Sequence, residues 1–334
     1  MSQEQNLEDD AQSGCSLDEC TRVADLWFPD ANLILRAENT LFRVHTGIIC
    51  ARSAVFSDMI SVPQPAQPED QTLDGHPIVY LHDSAAEVEV FLRAVFDSNY
   101  FMPPPSPTEF NSVIGIMRLA HKYDVPYLFR RALCHLESVF SPTLTDLIGA
   151  LITRITPPSV EFTLGDVNVS LITISAVSEV GAVWILPAAC YCACTFSVKD
   201  ILSAGKPWNT LGADQQQICL TSRAELIRAT TRTYRLFRRL PSPHCSSVDT
   251  CQIAVSAAHD RLENRADRNY DAHPLETWAS NDISTKLCDT CHQLWTELST
   301  EAQESLWAAL PGILELPEWD ELYKTRAAVL EAST

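Results

Sequence analysis

With 334 residues and 46% hydrophobic content, the chain is long enough to bury more than one core, and two domains are expected. Its 43 acidic against 24 basic residues give a formal net charge of −19, which repels nucleic-acid phosphates and anionic membrane surfaces and argues against both as partners. No basic segment followed by an apolar run opens the chain, so its twelve cysteines are expected in a reducing compartment, cytosol or nucleus, as buried thiols or metal ligands rather than disulfides.

Residues 1–22 read as an acidic, mostly disordered tail, because Glu4, Glu8, Asp9, Asp10, Asp18 and Glu19 all precede the first basic residue, Arg22. Next, ANLILRAE (31–38) sets Leu33 and Leu35 against Asn32, Ile34 and Arg36. Glu38-Asn39 supplies a turn, and Phe42 and Val44 share one face of the returning strand, which makes a β-hairpin. Helical signals follow at 47–53, and Ser53 can cap a second short helix over 54–60. Pro63, Pro65, Pro68 and Pro77 then break regular structure up to a strand over Ile78–Leu81.

Ser84 and Glu87 have the spacing of a capping box, and Val88, Phe91, Leu92, Val95 and Phe96 recur as one helical stripe. After the loop MPPPSP (102–107) comes a helix rich in Phe110, Val113, Ile114, Met117 and Ala120. Pro126 opens another where its missing N–H costs nothing.

Hairpin, helix pair, strand and three further helices resemble a BTB (POZ) domain. DANLIL (30–35), LFRVHTGIICARSAVFSDMI (41–60), PIVYLHDSAAEVEVFLRAVF (77–96) and LAHKYDVPYLFRRAL (119–133) match that family's pattern in order and spacing. The positions that carry the resemblance are Asp30, Phe42, Val44, His45, Arg52, Ser53, Phe56, Met59, Leu81, Asp83, Phe91, Leu92, Leu119, Ala120, Tyr123 and Leu128. Pro63-Gln64-Pro65, and Asp74-Gly75 with Pro77, are similar to the expanded BTB families of fungi, whereas Phe96-Asp97-Ser98 departs from the superfamily's usual aromatic-small-Gly helix ending. The expected fold is therefore an α+β BTB domain over 23–141, a small mixed sheet with helices, followed by a mostly α-helical domain over 142–334.

Within that second domain, nineteen uncharged residues lie between Glu179 and Lys199. Pro187 in their middle makes them a poor membrane span and points to a helix buried in a protein core. Breaks are expected at Pro157-Pro158, Pro187, Lys206-Pro207 and Pro241-Ser242-Pro243. A late helix is expected to start at a capping box of Thr300 and Gln303 and to stop before Pro311-Gly312. LPEWDEL (316–322) and a CxxC also resemble the fungal family.

His45 invites a catalytic reading, but no nucleophile motif accompanies it, and a buried, hydrogen-bonded histidine is the expectation. No GxSxG, HExxH, GxGxxG or P-loop occurs, so no catalytic residue is assigned and no enzyme activity is expected. Arg223, Arg228, Arg232, Arg235, Arg238 and Arg239 against Glu225 make one segment locally basic by five charges, able to meet a phosphate backbone; a solvated or internally paired face is the first reading and an acidic protein partner the second. Cys190, Cys192 and Cys194 read as small buried hydrophobes, Cys192 pointing away from the other two.

Cys245-x5-Cys251 and Cys288-x2-Cys291 are two close pairs on separate segments, able to supply four thiolates to one structural zinc and so to hold the polar stretch 264–282. The first spacing is wide for such a site, His244 and His292 are substitute ligands, and about 0.4 CxxC matches arise by chance at this cysteine content. Four zinc-bound thiolates and four buried, unligated thiols both stay open.

The BTB resemblance implies self-association, a homodimer for example, and protein partners, including cullin-type ubiquitin ligase scaffolds. Three classes compete: ligase substrate adaptor, scaffold or transcriptional co-regulator, and enzyme. The adaptor calls for a hydrophobic-x-Glu element after the second helix, and ISVPQPAQPED (60–70) places no glutamate correctly.

Overall fold

The computed structural model describes residues 17–62, 72–153, 164–269, 273–275 and 286–331. The described residues up to Phe101, with Leu119–Pro126, form one compact unit; Met102–Arg118 and the described residues from Tyr127 onward form a second.

The first unit is built on a five-stranded sheet: β1 (Thr21–Trp27), β2 (Leu33–Ala37), β3 (Thr40–Val44), β4 (Thr72–Leu73) and β5 (His76–Leu81), in the order β1-β3-β2-β5-β4. β2 and β3 form the expected hairpin, with Ala37 opposite Thr40 and Glu38 at φ 51° in the turn. β5 runs parallel to β2 from Ile78 onward, one residue past Pro77, so the missing proline N–H interrupts none of that ladder. β4 and β5 join through Asp74 (φ 51°) and Gly75 (φ 75°), the left-handed pair that a two-residue hairpin turn requires.

Two sequence expectations change here. Alternation put Ile34 opposite Leu33 and Leu35, yet all five residues of β2 are buried. β2 is the central strand, and Ile34 joins Leu41 and Ile78 in an apolar cluster with Leu17, Cys20, Trp27 and Leu73. Within the tail read as disordered through residue 22, Leu17–Glu19 form a 3-10 turn, and Thr21 and Arg22 already belong to β1, parallel to β3. This edge strand is mostly polar and exposed, held by backbone pairing and by Leu26 and Trp27, so no apolar alternation announces it. Residues 1–16 and 63–71 lie outside the described residues.

α1 (Thr46–Arg52) and α2 (Ala54–Ser61) follow, with Ser53 capping α2 by accepting the Phe56 N–H. The Ser84 hydroxyl likewise accepts from the Glu87 N–H at the start of α3 (Ala85–Phe96), whose Val88, Phe91, Leu92 and Val95 are buried as the stripe predicts. The last turn of α4 (Phe110–Lys122) brings Tyr123 into the same core, its ring stacked on Phe56 at 4.6 Å and 5.8 Å from Phe91.

The second unit is helical among the described residues. α5 (Pro126–Glu137) begins at Pro126, and α6 (Leu144–Thr153), α7 (Val167–Glu179) and α8 (Leu186–Thr195) follow, with Pro187 in the first turn of α8. Every residue of α8 through Cys194 is buried, as an all-apolar core helix should be, and no helix among the described residues is long and apolar enough to cross a membrane. α9 (Val198–Ser203), α10 (Lys206–Thr210), α11 (Ala213–Leu236) and α12 (Val248–Asn269) lead to α13 (Asp289–Ile313) and α14 (Trp319–Glu331).

The late helix starts eleven residues before the expected capping box. Thr300 lies inside α13, and the Gln303 side chain donates to the Leu275 carbonyl instead of closing a helix start. Nor does α13 stop before Pro311, which sits buried in its last turn.

Candidate metal centre

Four cysteine sulfurs, those of Cys245, Cys251, Cys288 and Cys291, all lie within 4.8 Å of one another in the second unit. Local sequence explains their approach. Pro241-Ser242-Pro243 ends the run of α11 and its following 3-10 turn, leaving Cys245 in the connecting loop and Cys251 in the first turn of α12. Cys288 is the N-cap of α13 and Cys291 lies in its first turn. Two helix N-termini therefore converge on the sulfurs, and their dipoles favour thiolate.

The donor set and spacing fit a tetrahedral ion. Four sulfurs about 2.3 Å from a zinc would be about 3.8 Å apart; Cys245 and Cys288 are 3.6 Å apart, well beyond disulfide bonding. Backbone N–H groups face the sulfurs, Ser242 donating to Cys291 at 3.3 Å and Cys288 to Cys251 at 3.2 Å. Such bonds orient and stabilise thiolate ligands. The Cys291 N–H, with the Ser246 hydroxyl and N–H, pulls the Cys288 thiol down to about 5. Loss of solvation pushes Cys251 upward and Cys291 up to about 12.

An apolar shell of Leu240 and Val255, with Leu236, Leu287, Leu294, Trp295 and Ala302 against it, encloses the cluster. His244 and His292, the substitute ligands, are exposed and outside the group. The Ser242 N–H and the Ser246 hydroxyl and N–H are aimed by the fold of the loop, and the only sequence signal for them is the proline break at 241–243. Most of the stretch 264–282 lies outside the described residues.

The other cysteines behave differently. Cys190, Cys192 and Cys194 are buried on α8 as expected, and burial pushes Cys190 up. Cys194 has a neighbour that sequence spacing did not reveal: buried Cys219 on α11, with the sulfurs 4.0 Å apart and the Cys194 thiol donating to the Cys219 carbonyl.

In the first unit, Phe42, Val44, Ser53, Phe56, Leu81, Phe91, Leu92, Leu119, Ala120 and Tyr123 are buried; Met59 is half-buried and Arg52 exposed. The Ser53 hydroxyl donates to the Tyr123 carbonyl, and Asp83 accepts from Lys122 and the Tyr123 hydroxyl. Leu128 is buried in the second unit. His45 is not fully buried as expected. It is half-buried just before α1, its Nε2 3.5 Å from the exposed Asp30 carboxylate and its ring against Phe28.

Scans against protein-family models, curated proteins and solved structures find no match for this chain.

Proposed function

We propose that this chain is a non-catalytic protein-interaction module: a BTB-like first unit that associates with a second copy or a protein partner, and a helical unit closed by one structural zinc on Cys245, Cys251, Cys288 and Cys291. The observation that carries the association reading is apolar surface on the first unit. Ile48 on α1 and Val55 on α2 are exposed at 43% and 38%, with Val62 and Tyr80 also exposed. We read the apolar side chains on the neighbouring helices α1 and α2 as one contact surface. Trp27 packs on the cluster of Ile34, Leu41 and Ile78, Phe28 on Phe96 and Phe56 on Tyr123, so these aromatic side chains do not contribute to that surface. The order of hairpin, helix pair, strand and helix also supports the BTB-like reading.

Four converging thiols among N–H donors and apolar side chains support the zinc. One ion held by all four would tie the loop before α12 and the first turn of α12 to the start of α13.

Light scattering of the full chain at micromolar concentration tests the association reading, with Ile48→Asp/Val55→Asp beside it and a cullin pull-down in parallel. The expected result is a mass above one chain, or a retained partner, that the double variant loses. A single-chain mass at every concentration with no partner retained removes the reading.

A further inference from the structure

We propose that the exposed arginine row of α11 is a docking face for an acidic peptide segment of a protein partner. Arg228, Arg232, Arg235 and Arg239 recur every three or four residues, which places them on one side of the helix and its continuing 3-10 turn, and Arg238 lies beside them. All five are exposed. Arg223 is not part of the row: it is buried, and its Nε donates to the Phe196 carbonyl. Arg228 pairs with Glu225, whereas Arg232, Arg235, Arg238 and Arg239 make no ion pair among the described residues.

The described residues do not account for this row. Arg228 and Arg232, Arg232 and Arg235, and Arg235 and Arg239 are like-charged neighbours at i+3 or i+4, an arrangement that destabilises a helix. The helix dipole rewards cations in the last turn, which covers Arg235 and its successors but not Arg228 and Arg232. Packing is carried by other residues, since Leu226, Thr230 and Thr233 are buried and Leu236 and Leu240 pack on the cysteine cluster. An anionic ligand would relieve the repulsion, and Leu236 and Leu240 anchor the basic end of the helix on the cysteine cluster.

The chemistry favours carboxylates on a short chain. Every cation between Ala213 and Leu240 is an arginine, whose planar fork binds carboxylate through two hydrogen bonds. The row rises about 16 Å from Arg228 to Arg239, with about 5.4 Å between turns. Alternate residues of an extended peptide project about 7 Å apart on one side, close to that repeat. The rest of the chain carries the whole acidic surplus, which disfavours a polyanion as long as a nucleic acid.

The test is fluorescence anisotropy of the full-length protein with a fluorescein-labelled twelve-residue peptide of alternating Glu and Ser, and with a single-stranded DNA of equal charge. The expected result is peptide binding that weakens as salt rises and falls roughly tenfold or more in Arg232→Glu/Arg235→Glu. Arg232→Lys/Arg235→Lys should keep the salt dependence but lose part of the affinity, because lysine cannot form the fork. If the glutamate variant loses its native circular dichroism, Arg232→Ala/Arg235→Ala replaces it with the same expected direction. Unchanged peptide binding in a folded variant, tighter binding of the DNA, or no binding of either probe overturns the proposal; none of these outcomes bears on association through α1 and α2.

Discussion

The indole N–H of Trp319 donates to the carbonyl of Trp307 at 2.7 Å, and that carbonyl is four residues before Pro311, which has no N–H to offer it. The two rings stack at 4.4 Å. An internal proline ordinarily leaves such a carbonyl without its helical donor; here LPEWDEL supplies one from outside the helix. That is how α13 passes through Pro311 and stops only at Ile313.

Trp319→Phe should keep the stacking and lose the bond, at a cost of about 1–3 kcal/mol in the stability of the full chain. In a Pro311→Ala background the alanine N–H can serve the Trp307 carbonyl, and the same substitution should cost clearly less. Denaturant unfolding of the four proteins measures this coupling. Equal costs in both backgrounds would show that the indole does not substitute for the missing donor.

Phe91 is 1% exposed in the core of the first unit, near Tyr123. Phe91→Asp should place an unpaired charge there and cost several kcal/mol, enough to unfold a marginal unit. Thermal melting followed by circular dichroism checks this, and an unchanged transition would contradict the placement of α3.

Cysteine reactivity should divide by position. In protein stripped of metal, Cys288, pulled down to about 5, is already thiolate at pH 7, while Cys251 and Cys291, pushed up by lost solvation, hold their protons. A thiol whose folded pKa is depressed adds stability that is fully present above its unfolded value and is lost as pH falls through about 5. Iodoacetamide at pH 7 should label Cys288 ahead of the other three and leave buried Cys190 unlabelled in the native protein. Peptide mapping by mass spectrometry reads the order, and early labelling of Cys190 or Cys291 would contradict it.

Much of this structure was legible in the sequence wherever a local rule sufficed. The Glu38-Asn39 turn, the Ser53 and Ser84 caps, the Phe91 stripe and the start of α5 at Pro126 all follow from spacing and side-chain chemistry within a few residues. What failed depended on distant partners. β1 is an edge strand stabilised by the backbone of β3, Ile34 is buried because β5 flanks β2, and α13 crosses Pro311 because Trp319 supplies a donor. At the cysteine site the four residue positions could be read from the sequence, but the Ser242 and Ser246 donors and the exclusion of His244 and His292 required the fold.

The central structural claim is that Cys245, Cys251, Cys288 and Cys291 hold one zinc that closes the helical unit. Native mass spectrometry with elemental analysis of the full chain should find about one zinc per chain, lost in Cys288→Ser/Cys291→Ser along with a lower melting temperature. Metal-free protein whose melting temperature is unchanged by added zinc and by chelation would contradict it, as would a chain that binds iron in zinc's place.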